Sequence, residues 1–118
     1  MLYVQRTMNR KRSVCEEQGV KPSEPLPGSK VGIAISTIGK NPINGLRHSP
    51  ENGTNGWYIW CGEEYSEEPS FFEPLHVEHL SEYLPGFVDY LSLPPGFRVL
   101  IDDQGYEDVW IDEKILDV

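Results

Sequence analysis

Five consecutive large or apolar residues, Trp57-Tyr58-Ile59-Trp60-Cys61, lie between two glycines and constrain the fold more than any other feature of this chain. A strand with one face in water alternates apolar and polar residues, whereas a strand covered on both faces is apolar throughout. The run therefore predicts a central strand with both of its faces covered. The rest of the chain must supply the neighbouring strands and the layers that cover them.

Three further segments predict strands. Residues 30–37 are rich in β-branched side chains that alternate along one face, and Gly32 leaves room for a bulky neighbour on the other face. The segments 97–101 and 106–111 also alternate. The turn-forming residues 103–105 separate these two segments, so together they predict a hairpin.

Two helices are predicted around these strands, over residues 10–18 and 75–83. Gly19 predicts the end of the first, because glycine readily adopts the left-handed conformation that terminates helices. The resulting order is helix, strand, strand, helix, strand, strand. This order predicts an α+β fold, with a mainly antiparallel sheet of about four or more strands and helices packed on one face.

Residues 39–56 form the longest stretch without a predicted element. The stretch contains Asn44-Gly45 and Asn52-Gly53, and Asn-Gly pairs are typical of tight turns. A connection of this length inside a small domain is usually functional or mobile.

The length of 118 residues predicts a single folded domain. We expect residues 1–20 to form an N-terminal segment that is partly helical or disordered, and residues 21–118 to form the α+β domain. Either Met1 or Met8 could be the native start, and the oligomeric state stays open.

The charge distribution indicates the class of partner. The formal net charge is −9, but residues 1–40 carry +4 and residues 41–118 carry −13. The acidic part repels phosphate, which argues against nucleic-acid binding by the folded body, and it would attract a basic partner over long range. The alternative is that the charge only keeps the protein in solution.

The compartment is predicted from features of the whole chain. No apolar run reaches the roughly 18 residues of a membrane-spanning helix, and no apolar segment of a signal peptide follows the basic N-terminus. The two cysteines are too few for a disulfide scaffold. We therefore expect a cytoplasmic protein without membrane contact.

The acidic aromatic stretch 62–74 is the first candidate binding surface. Acids and aromatic rings together resemble the composition of protein interfaces, although the acids could also form a plain solvated loop. The stretch 41–56 is the second candidate. The predicted partner-binding residues from both stretches are Glu63, Glu64, Tyr65, Glu67, Glu68, Arg47 and His48.

The alternative hypothesis is a small metal- or ligand-binding, enzyme-like domain that uses His76, His79 and Cys61. Histidines three residues apart on a helix can share a face and bind a metal. However, the pair lacks the spacing and the glutamate of a zinc-protease motif, and the acids after Cys61 would disfavour a reactive thiolate. We expect no catalytic residue, no metal and no cofactor.

Residues 56–64 contain a Gly-Trp pair, a short aromatic strand and a Gly-Glu-Glu step. In these features the chain resembles the immunity-protein group numbered thirty-three in the bacterial polymorphic-toxin series, or a close relative. Residues 93–96 match its proline-containing turn, and 97–110 match its final hairpin. The segments 25–30 and 42–48 resemble the hallmark of a subgroup.

The resemblance covers roughly residues 24–118 and departs from the group in a second Trp and a Cys in the aromatic strand, and in a longer N-terminus. It implies a cytoplasmic protein that binds and blocks a cognate toxin, and it assigns no toxin-contacting residue. The resemblance therefore implies a non-enzymatic protein-binding domain that neutralises a cognate bacterial toxin. From the acidic charge we expect this toxin to be basic.

Overall fold

A computed structural model describes residues 13–117. The helices and strands are α1 (Val14–Gln18), β1 (Lys30–Ile33), β2 (Ile43–Arg47), β3 (Thr54–Cys61), β4 (Glu73–His76), α2 (Leu80–Tyr83), β5 (Phe97–Ile101) and β6 (Glu107–Ile111). Short 3-10 helices span Ile35–Thr37, Val77–His79, Pro85–Tyr90 and Glu113–Asp117. Among these described helices, none is long and apolar enough to cross a membrane.

The six strands form one sheet in the order β4-β1-β3-β2-β5-β6. Strands β1 and β3 are parallel, whereas the other four neighbouring pairs are antiparallel. The prediction of a mainly antiparallel sheet is therefore confirmed in its main feature, but the sheet is mixed. The aromatic run 57–61 belongs to β3, which lies inside the sheet between β1 and β2, as its apolar composition predicts.

One face of the sheet carries the main hydrophobic core. Because side chains alternate along a strand, Trp57, Ile59 and Cys61 of β3 point to this core face. They pack in one cluster with the helical segments, which contribute the buried Leu80 and Phe87 among others. The helices are short, and the sheet is the dominant element of the fold.

Strand β2, the second strand along the chain, does not appear among the predicted strands. Its segment Ile43–Arg47 contains Asn44-Gly45, which predicted a turn. Gly45 instead pairs with Ile59 of β3 in the middle of the sheet. A Cβ built on Gly45 would overlap the ring of Phe87, so glycine is needed here for close packing. The second Asn-Gly pair does turn, with positive φ at both Asn52 and Gly53.

The predicted helix over 75–83 is wrong in its first half. Residues up to His76 form the edge strand β4, followed by the 3-10 turn Val77–His79, and only Leu80–Tyr83 is α-helical. The strand forms because β4 pairs along the whole of β1, with Leu75 opposite Val31. Sheet pairing has therefore overridden the local helical pattern.

The first helix begins later than predicted within the described chain. Ser13 caps α1, since its side chain accepts from the backbone of Glu16 and the Glu16 carboxylate accepts from the backbone of Ser13. Gly19 ends the helix in the left-handed conformation, as predicted. Residues 10–12 of the predicted helix lie outside the described residues. Val14 and Cys15 are buried in the main core.

Candidate functional site

The second face of the sheet carries a cluster of aromatic rings, which we call the aromatic face. It consists of Tyr58 and Trp60 of β3, together with Tyr65, Phe71 and Phe72 from the connection between β3 and β4. Alternation along β3 sends Tyr58 and Trp60 away from the core face. The rings form a continuous set of edge-to-face and tilted pairs, a favourable geometry for aromatic contacts.

Gly32 of β1 makes room for this cluster. The ring of Tyr58 lies over it, and a Cβ at this position would come within 2.7 Å of Tyr58 Cδ1. The prediction that Gly32 leaves space for a bulky neighbour is therefore confirmed. The space lets the tyrosine ring lie flat enough to meet Phe72 at 5.2 Å between ring centroids.

Tyr65 connects the aromatic face to solvent. Its ring packs against Trp60 at 5.0 Å between centroids and against Phe72 at 5.9 Å. It nevertheless remains 54% exposed, whereas Trp60 beneath it is 6% exposed. Tyr65 is thus held in place from below and is accessible from above, which suits an aromatic side chain that anchors a partner.

The four predicted glutamates surround Tyr65 in sequence. We call the segment from Glu63 to Glu68 the acidic rim. Glu63, Glu64, Glu67 and Glu68 are all exposed, so their charges are solvated. The rim is ordered by local bonds, in which Glu68 N donates to Ser66 Oγ at 3.1 Å and Phe71 N donates to the Glu68 carbonyl at 3.0 Å. It therefore places negative charge beside the exposed ring.

An open cleft of about 300 Å³ lies on the same face where β2 ends and β3 begins. Tyr58, Tyr65 and Phe72 line it on the aromatic side, and His48 and Glu51 line it on the side of the β2–β3 turn. His48 Nδ1 lies 2.8 Å from the carbonyl oxygen of Ile115. The structure thus brings the predicted residues His48 and Tyr65 to one cavity, although they are distant in sequence.

Arg47 does not belong to this surface, contrary to the expectation that it contacts a partner. It points to the core face and is 2% exposed. Its Nε donates to the carbonyl of Asn55 at 2.9 Å, and Nη1 donates to those of Ser23 at 2.6 Å and Leu93 at 2.8 Å. Burial lowers the pKa of this guanidinium. Arg47 therefore joins three segments of the backbone inside the protein.

The alternative site built from His76, His79 and Cys61 is not assembled. His76 lies opposite Lys30 on β1, and Lys30 lies opposite Thr54 at the start of β3. Cys61 is the last residue of β3, seven residues beyond Thr54, which places it about 23 Å further along the strand at a rise of about 3.3 Å per residue. Within residues 13–117, no three His, Cys, Asp or Glu side chains converge to hold a metal ion.

The individual side chains of the alternative site have other contacts. His79 Nδ1 lies 2.8 Å from Glu82 Oε2, and His76 Nδ1 lies 3.2 Å from the carbonyl of Gly28. Cys61 is buried, and this burial raises the pKa of its thiol. A raised pKa disfavours the thiolate that a nucleophilic cysteine needs.

The sequence-based choice of site residues omitted Glu51, Tyr58 and Phe72. Glu51 lies in the predicted stretch 41–56, but no local sequence pattern marks it as a site residue over the other acidic residues. For Tyr58, the alternation of β3 is a usable signal, because its neighbours Trp57 and Ile59 face the core. For Phe72, the contact with Tyr58 depends on the path of the connection and is visible only in three dimensions.

Comparison with known proteins gives a family match. The family model described as Imm33-like domain matches residues 10–112, which is most of the chain. No curated protein and no solved structure matches this chain.

Proposed function

Because the chain belongs to the Imm33-like domain family, an immunity-protein family, we propose that it binds a cognate bacterial toxin and blocks it by covering its surface. Membership in the family supports the general function, which is binding to a toxin. The specific proposal is that the aromatic face with its acidic rim makes the contact. The observation that carries this proposal is the position of Tyr65, which is held by Trp60 and exposed among four glutamates.

The composition of this surface supports the proposal. Interfaces combine central aromatic anchors with a polar rim that excludes water, and Tyr is among the residues that contribute most to binding. The acidic rim adds a negative field that steers a basic protein toward the ring and speeds association. We therefore propose a toxin with a basic surface at the contact.

Less of the stretch 41–56, the second predicted binding surface, is available for contact with a partner than its length suggests. Ile43–Arg47 lies inside the sheet, so its backbone is paired on both sides with β3 and β5. The accessible parts are Asn41 and Pro42 before the strand, and His48 with the turn that follows it. A stable interface buries about 800 Å² on each partner, which is more than one short loop offers. The acidic rim, the aromatic face and this turn would have to act together.

The proposed mechanism is steric and electrostatic, and no chemical step is assigned to this chain. We also propose action in the cytoplasm. Both described cysteines are free thiols and both are buried, an arrangement suited to a reducing compartment.

The binding proposal is tested by capture followed by a functional assay. A tagged chain is used to capture proteins from the native host, and each captured protein is then expressed alone and with this chain. The expected result is a captured protein that stops cell growth when it is expressed alone and becomes harmless when the chain is present. If every captured protein remains equally toxic or equally harmless with and without the chain, the proposed function is wrong.

The electrostatic part is tested with the captured toxin. Reversing Glu63, Glu64, Glu67 and Glu68 to Lys should slow association at least about tenfold at low salt and flatten its salt dependence, because electrostatic steering accelerates encounters by about 10–10³-fold. The matched control reverses four exposed acids elsewhere, namely Glu82, Asp89, Asp103 and Glu113. Equal slowing in both variants would show that net charge, and not the acidic rim, drives association.

A further inference from the structure

We propose that the cleft between the β2–β3 turn and the aromatic face receives an arginine side chain of the partner. This inference rests on the proposed function and specifies it, since it names the chemistry of one contact. The cleft volume of about 300 Å³ is enough for one long side chain. Three kinds of groups line the cleft, and each favours a planar cation.

The first group is the aromatic wall. Tyr58, Tyr65 and Phe72 all line the cleft, and their rings are mutually braced, with Tyr58 and Phe72 5.2 Å apart between centroids. The electron-rich faces of such rings attract a cation placed within about 6 Å. The same preference already operates inside this protein, where the guanidinium of Arg98 lies 5.6 Å from the centroid of the Trp110 ring.

The second group is the carboxylate of Glu51. This residue is exposed, so its charge is available at the mouth of the cleft. Its backbone is held by the turn, because the Glu51 carbonyl accepts from Thr54 N at 3.0 Å and from Thr54 Oγ1 at 2.8 Å. Glu63 and Glu64 of the acidic rim line a second cavity that shares Tyr65 with the cleft, so further negative charge lies on the other side of this ring. An anionic side chain of a partner would be repelled here.

The third group is the imidazole of His48. A carbonyl oxygen can only accept, so the contact with the Ile115 carbonyl at 2.8 Å assigns the proton of the neutral ring to Nδ1. The other nitrogen, Nε2, is then an acceptor. The ring is also held edge-to-face against Tyr58 at 5.4 Å between centroids. An acceptor in a fixed orientation suits an N–H donor that enters the cleft.

These groups favour arginine over lysine. A guanidinium is planar, stacks on aromatic faces, and spreads five N–H donors over a rigid fork, whereas an ammonium is compact and strongly hydrated. One guanidinium can therefore stack on Phe72 or Tyr58 while it donates to Glu51 and His48. Lysine would satisfy the charge but would lose the stacking contact.

The test uses short peptides and the intact chain. Acetyl-Gly-Arg-Gly-amide is titrated into the isotope-labelled protein, and the amide signals are followed by NMR. The control peptide has citrulline in place of arginine, which keeps the shape and removes the charge. The arginine peptide should shift the signals of His48, Glu51 and Tyr58, with a dissociation constant on the order of millimolar, because one side chain offers one ring contact and one ion pair. The citrulline peptide should bind at least about threefold more weakly.

Two variants locate the effect. Glu51→Gln should weaken arginine binding about two- to fivefold, and Phe72→Leu should do so to a similar extent while it keeps the apolar bulk. Asp89→Asn is the matched control, since Asp89 is equally exposed but lies in the 3-10 helix Pro85–Tyr90 that packs on the core face. Equal affinity for both peptides, or equal weakening by Glu51→Gln and Asp89→Asn, would overturn the cleft assignment.

The outcome is separable from that of the toxin assay. If the chain protects cells but binds the arginine and citrulline peptides with equal affinity, the cleft assignment is wrong and the toxin-binding proposal stands. If arginine binds as expected but no captured toxin is neutralised, the cleft assignment stands on the titration and the proposed function is wrong.

Discussion

The two faces of the sheet share the same strands but differ in how completely they are covered. On the core face, Trp57 and Ile59 of β3 are fully buried beneath the helical segments. On the aromatic face, Tyr58 between them is only half-buried, and it is covered by loop residues such as Phe72. The difference teaches that the core face is closed by the main core, whereas the aromatic face has a smaller core of its own around Trp60, above which Tyr65 stays exposed.

Each face also carries an arginine, and the environments of these two arginines differ. Arg47 on the core face is enclosed, and its donors are used by backbone carbonyls. Arg98 on the aromatic face is partly exposed and forms an ion pair with Asp112 at 3.2 Å. Arg98 lies opposite Leu46, the residue before Arg47. The two arginines are therefore close along the sheet but point to opposite faces. They provide a matched pair for testing the division of roles between the faces.

The largest expected effect is at this pair. Arg47→Met should lower the free energy of unfolding by about 3–5 kcal/mol, because it leaves several buried carbonyls without their donor. Arg98→Met should cost no more than about 1 kcal/mol, because water reaches this partly exposed ion pair and screens it. Urea denaturation of both variants measures the difference. Similar losses at the two positions would break the proposed contrast between the faces.

A smaller effect is expected at two glycines in β1 and β2, the strands on either side of β3. Gly45→Ala should cost about 1–3 kcal/mol, because the new methyl group meets the fully buried Phe87 ring, which has no room to move. Gly32→Ala should cost less than about 1 kcal/mol, because the half-buried Tyr58 ring can shift toward solvent. Thermal or urea unfolding gives the comparison. A larger loss at Gly32 would mean that the aromatic face is packed as tightly as the core.

The smallest effect on stability is expected at the acidic rim. Changing Glu63, Glu64, Glu67 and Glu68 to Gln should alter the free energy of unfolding by less than about 0.5 kcal/mol, since exposed side chains contribute little to folding. The same variant should associate more slowly with a captured toxin. Unfolding curves and association rates, measured on one sample, therefore separate folding from binding. A large loss of stability would assign the rim to the fold and not to recognition.

Much of the sheet was predictable from local patterns. The strand Phe97–Ile101 was predicted with its observed bounds, and its hairpin partner differs by one residue. The central position of β3 also followed from its composition. In Phe97–Ile101 the buried side chains recur at the spacing of two that a strand requires, and in β3 the apolar run is continuous, so the sequence carries the information for both within a few residues.

The errors share a different cause. The strand Ile43–Arg47 resembled a turn because its Asn-Gly pair has low strand propensity. The second half of β4 was assigned to a helix because Leu75 shares a helical stripe with Leu80 and Tyr83. In both cases, pairing with a distant strand decided the conformation. Ile35–Thr37 was also predicted as strand, but it forms a 3-10 helix whose Thr37 Oγ1 accepts from Cys61 N of β3 at 2.9 Å.

The sequence by itself determined the chemical character of this protein: an acidic chain with an aromatic central strand, an acidic stretch around Tyr65, and the pattern of an immunity-protein family. Only the tertiary structure decided which side chains are accessible. It buried Arg47 beneath backbone carbonyls and brought His48, Glu51 and Phe72 around one cleft. The physical reason is that propensity and alternation act over a few neighbouring residues, whereas burial depends on contacts between segments far apart in the chain.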